Sequence, residues 1–108
     1  MKTLKFRKSL VKLVLNKEKT ITWRLFDDKD LSKGDVVSFL VWETKEEFTK
    51  AKLIEVKETT LGELSKEDLE GHERFSSEKE MYDTYSKYYE QKVDETTPIK
   101  IIRFNLLE

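Results

Sequence analysis

Strand-forming runs are short here, and no strand–helix–strand repeat links them; that pattern constrains the fold more than any other feature. Thr20-Ile21-Thr22-Trp23-Arg24-Leu25 alternates strictly, as a half-buried strand does. Ile99 to Leu106 alternates in the same way and predicts a final strand, with Pro98 at its start where a missing N–H is tolerated. Leu4-Lys5-Phe6 is a short strand. Val36 to Trp42 is a continuous β-branched and aromatic run, the signature of a strand buried on both faces. Phe48 to Val56 is another strand, and its alternation slips between Leu53 and Ile54, where a bulge is expected.

Helical signals fall in two places. Leu10, Leu13 and Val14 follow i, i+3, i+4 spacing and predict a helix within 9–18, although the valines also suit a strand. After residue 60 the character changes. Ser65 caps a short helix carrying Asp68, with Leu64 against Leu69 as a staple and Gly71 as its stop. Ser77-x-x-Glu80 is a capping box opening a helix with Met81, Tyr85, Tyr88 and Tyr89 on one stripe, a pattern that reads as core packing. The order is strand, helix, three strands, two helices, strand. That order argues against a doubly wound parallel sheet and favours an α+β fold with an antiparallel or mixed, barrel-like sheet and flanking helices. One domain spans residues 1–106; Leu107-Glu108 is set aside as a cloning remnant.

Composition narrows the classes of function. The 108 residues are 40% charged, yet net charge is −1 and aromatics reach 11%, so the chain folds under a dense ionic surface. It has no cysteine and one histidine, which removes disulfides, thiol chemistry and multi-histidine metal sites within a monomer. No cofactor is implied. No run is long and apolar enough for a membrane helix and no signal peptide is evident, so a cytoplasmic protein with no membrane partner is the expectation. Lysine and glutamate abound while Asn and Gln are scarce, the composition of thermophile proteins. Charge is uneven: the first twelve residues carry Lys2, Lys5, Arg7, Lys8 and Lys12 without an acid. Lys5, Arg7 and Lys8 are candidate nucleic-acid contacts; the plainer reading pairs them with acids of the second half.

Chemistry concentrates around residues 19–24. Thr20, Thr22 and Arg24 share one strand face, a row of hydroxyls and a guanidinium suited to an anion or a polarised carbonyl, and Lys19 reaches the same row. An exposed face rich in threonine for its β-propensity is the alternative. His72 reads as loop packing, and Trp23, beside Ile21 and Leu25, as core; Trp23 and Trp42 are also the residues that would stack on bases.

Lys19-Thr20-Ile21-Thr22-Trp23-Arg24, then Gly34-Asp35, then Phe48-x-x-Ala51-x-Leu53-Ile54-x-Val56, together resemble the ASCH (activating signal cointegrator homology) domain, related to PUA domains. Gly71-His72-Glu73-Arg74-Phe75 and the Tyr85–Tyr89 helix resemble the family's later segment, and Lys17 departs from it where glycine is common. The resemblance implies a PUA-like barrel with a cleft lined by the Lys-Thr-x-Thr-x-Arg strand and with RNA or a modified nucleoside as partner. Some small bacterial members are amidohydrolases that release acetate from N4-acetylcytidine using a Lys, a Thr and a Glu. Carried over by motif, these are Lys19, Thr22 and Glu73, with Glu70 as the alternative acid; Arg24 and Thr20 would bind the ligand.

Overall fold

The computed structural model describes residues 2–26, 30–70, 72 and 75–107. Five strands form one sheet in the order β1-β3-β4-β5-β2: β1 (Thr3–Phe6), β2 (Ile21–Leu25), β3 (Val36–Val41), β4 (Glu47–Thr60) and β5 (Pro98–Leu107). β1 runs parallel to β3; every other neighbouring pair is antiparallel. Among the described residues three α-helices accompany them, α1 (Lys8–Leu15), α2 (Lys66–Leu69) and α3 (Glu78–Tyr89), with one 3-10 turn at Leu61–Glu63. The sheet is thus mixed, as expected, and curls into a half-barrel whose two edge strands are β1 and β2. β5 continues to Leu107, which pairs with Lys50.

Both faces of the sheet are covered, so its central strands carry apolar residues on both sides. Phe6, Val14, Val37, Phe39, Leu53, Ile102 and Phe104 fill one core under α1. Ile21, Trp23, Leu25, Met81, Tyr85 and Ile101 form the other under α3. Adjacent Ile101 and Ile102 are fully buried on opposite faces. The β4 register shifts between Leu53 and Glu55, placing the bulge where the alternation slips. β3 differs from expectation: Val36 is exposed, Val41 half-buried, and Trp42 lies beyond the strand and is 41% exposed. Only Val37, Ser38 and Phe39 are enclosed, because α1 and the neighbouring strands cover the middle of β3 and leave its ends uncovered.

Two turns position the site. α1 closes with a Schellman arrangement: Lys17 N–H donates to Val14 O at 3.1 Å and Glu18 N–H to Leu13 O at 2.9 Å, with Lys17 at φ 63°. This left-handed position is the one where glycine is common in the resembling family. Lys19 N–H also donates to Leu13 O, at 3.0 Å, which turns the chain inward and buries Lys19. The second turn is α2. Ser65 and Asp68 exchange a full capping box, and the Asp68 carboxylate also takes the Lys57 ammonium at 2.8 Å. Arg103 donates to Glu67 O at 2.6 Å and fastens the same turn to β5. The helix ends at Leu69, before the expected stop at Gly71, which lies outside the described residues.

Candidate functional site

A half-barrel leaves a seam between its edge strands, and a cleft occupies it. Arg24 on β2 reaches across to β1: its guanidinium donates to Lys5 O at 2.7 Å and lies 4.9 Å from the Phe6 ring centroid. The end of α3 closes the third side, where Tyr89 OH accepts from Leu25 N–H at 3.2 Å. The space enclosed is about 230 Å³. Drug-sized pockets run to roughly 300–1,000 Å³, so this one takes a single ring system with its substituents.

Lys19, Thr22 and Arg24 all line this cleft. Lys19 is only 2% exposed, an unusual burial for an ammonium, and Thr22 is buried beside it. Thr20 does not join them. It precedes β2, is exposed, and lines a separate cavity with Phe104 and Asn105; its carbonyl accepts from Phe104 N–H. The shared face expected of Thr20, Thr22 and Arg24 therefore holds only for the last two, because strand geometry begins at Ile21. Glu73 lies outside the described residues. Glu70 follows α2, is exposed and does not line the cleft. Lys5 and Arg7 stand at the cleft mouth, whereas Lys8 is exposed on α1 away from it, its backbone N–H bound to the Glu43 carboxylate. Of the first twelve residues, Lys2 pairs with Asp35, not with an acid of the second half, and Lys5 and Arg7 form ion pairs with none of the described carboxylates.

The inner wall is aromatic, and part of it escaped the sequence reading. His72 stacks on Trp23 at 3.7 Å between centroids and 12° between planes, and its Nε2 is 3.2 Å from Tyr85 OH. Trp23 is core, as its pattern indicates, yet one edge faces the cleft; its indole N–H donates to Asp68 O at 3.2 Å. The α2 turn thus holds the indole on which His72 rests. Burial alone would raise the Asp68 carboxyl, but the Lys57 ammonium and the Ser65 hydrogen bonds outweigh it and hold the group below the ordinary carboxylate value. The tyrosine stripe splits by position: Met81 and Tyr85 pack in the core, and Tyr88 is exposed at the mouth. A lone histidine and a tyrosine stripe carry no periodicity that separates packing from lining, so only proximity reveals them. Among the described residues, no three metal-ligating side chains cluster.

This architecture has solved counterparts. An ASCH domain structure from Lactobacillus crispatus superposes with a TM-score of 0.66 at 13% identity, over 88% of this chain and 68% of that one. The chain has the ASCH fold. Protein EF3133 of Enterococcus faecalis, described by the family model DUF984, matches with a TM-score of 0.74 at 15% identity, over 92% of this chain and 70% of that one. Protein PH0355 matches end to end, with a TM-score of 0.72, 23% identity and coverage of 99% and 100%. No family model and no curated protein matches the sequence. The common ASCH architecture therefore rests on three-dimensional similarity at identities where side chains have largely diverged.

Proposed function

We propose that this ASCH-fold protein binds RNA or a modified nucleoside in the seam cleft. One observation carries the reading. The described lining residues include four cations, Lys5, Arg7, Lys19 and Arg24, with seven aromatic rings besides His72, and no carboxylate. Cations attract phosphate and aromatic faces stack on bases, so this pairing of chemistries matches a nucleic-acid component. Titration with single-stranded RNA should show binding that weakens steeply with salt, because phosphate contacts release counterions. Arg7→Ala should flatten that slope. Absence of binding to RNA and to nucleosides at low salt overturns the proposal.

A second reading, amidohydrolysis of N4-acetylcytidine, draws on the burial of Lys19 beside Thr22. A lysine acts as a base only when neutral, a form that burial away from water favours in general. The Thr22 hydroxyl would attack the acetyl carbonyl while Lys19 takes its proton; cytidine would leave with a proton on its amine, and water would release acetate from the acyl-threonine. Glu73 is the acid the family resemblance supplies for the leaving amine. Acetate release by the purified protein, abolished in Thr22→Ala and reduced about 10²–10⁴-fold in Lys19→Ala, decides for it; nucleoside binding without turnover decides for a binding module.

A further inference from the structure

The mouth of the cleft gathers positive charge around one ring. Trp42 stands just beyond β3, partly exposed, and three cations surround its ring: Lys45 Nζ at 4.3 Å, the Arg7 guanidinium carbon at 4.6 Å and Lys5 Nζ at 5.5 Å from the ring centroid. Arg7 also lies 5.0 Å from the Tyr88 ring, so it spans from the β3–β4 turn to α3. The three cations form ion pairs with none of the described carboxylates. An exposed indole holds each cation weakly, and three like charges on one ring repel one another. An anion placed among them relieves that repulsion, and Arg7 presents the planar fork that matches phosphate oxygens.

We infer that the ligand is a phosphorylated nucleoside, its base in the inner cleft beside Trp23 and His72 and its phosphate at the mouth among Lys5, Arg7 and Lys45. This rests on the reading of the cleft as a nucleoside site and adds the ligand's charge and orientation. A cleft of about 230 Å³ takes one ring system, so a base seated there leaves its sugar and phosphate toward the mouth, where the cations stand. The same phosphate chemistry comes from a free nucleotide or from an RNA strand; in a strand, the exposed Trp42 and Tyr88 faces would stack on a neighbouring base.

Calorimetric titration separates these outcomes. The four ribonucleosides and N4-acetylcytidine are compared with their 5′- and 3′-monophosphates and with RNA trinucleotides, at low salt. At least one monophosphate should bind tenfold or more tighter than its nucleoside. That ratio should fall to about one in Arg7→Ala, recover in part in Arg7→Lys, and persist in Lys52→Ala, an exposed charge control on β4. Trinucleotides that outbind the monophosphate, with the excess lost in Trp42→Ala, identify a strand as the source; a monophosphate that outbinds trinucleotides identifies the free nucleotide. Nucleosides binding as tightly as their monophosphates overturn this inference and leave the nucleoside site standing, whereas no binding of any probe overturns both.

Discussion

Asp68 links stability to the site through a chain of specific contacts. Its carboxylate is nearly enclosed, accepts from the Ser65 N–H and from Lys57, and its own N–H is capped by Ser65 Oγ. Its carbonyl then holds the Trp23 indole under His72. Asp68→Ala should cost about 1–2 kcal/mol, the loss of a capping box and a charge-assisted bond, measured by urea denaturation. Lys57 is 44% exposed and regains water in the variant, which keeps the loss below that of a fully buried pair. The folded carboxyl lies below its ordinary value of 3.8, so its contribution is present above that pH and fades as pH falls through and below it. Wild type should therefore lose stability on acidification faster than Asp68→Asn; parallel curves would place the acid sensitivity elsewhere.

Among the elements, α1 is the one whose ending matters most. Its Schellman turn delivers Lys19 into the cleft, and Lys17 occupies the left-handed position at φ 63°, which costs a side-chain-bearing residue up to about 1 kcal/mol. Lys17→Gly should raise the thermal midpoint, while ligand affinity at the cleft should be unchanged because the Leu13 carbonyl still takes the Glu18 and Lys19 amides. A lowered midpoint would show that the Lys17 side chain contributes more than its backbone strain removes. In α3 the helix start was legible from Ser77, which accepts from Glu80 N–H at 3.1 Å. The reciprocal half of that box is replaced by a bond from Ser76 to the Glu80 carboxylate, a choice between adjacent serines that the motif does not specify.

Across the whole molecule, stability should follow the strand order. β4 and β5 lie between other strands, whereas β1 and β2 have one neighbour each, with Arg24 of β2 bonded across the seam to Lys5 O of β1. Amide exchange should be slowest in β5 and the part of β4 paired on both sides, and faster in β1 and β2. Protection of β1 and β2 equal to that of β5 would mean that the half-barrel behaves as a closed one. A ligand that bridges the seam should slow exchange in β1 and β2 selectively, since it joins the two edges the backbone leaves apart.

Strand and helix content were determined locally. A strand ending at Leu25, the slip at Leu53–Ile54 and the serine N-caps each depend on contacts within a few residues and reappear in the structure, although β2 begins at Ile21 and buries Thr22 as well as its apolar face. The motif likewise placed Thr22 and Arg24 on one face, since alternate residues of one strand stay together in any fold, and the turn that closes α1 adds Lys19. What the sequence could not decide was which distant segments meet at the seam. Trp42, Tyr88 and His72 join the cleft because the β1–β3 parallel pairing and the packing of α3 under β2 bring residues 7, 23, 42, 72 and 88 to one opening. Thr20 is lost from it because the strand begins one residue later than the alternation suggests. Period and capping are properties of neighbours, whereas a cleft is a property of the closing sheet, and that closure is decided by tertiary packing alone.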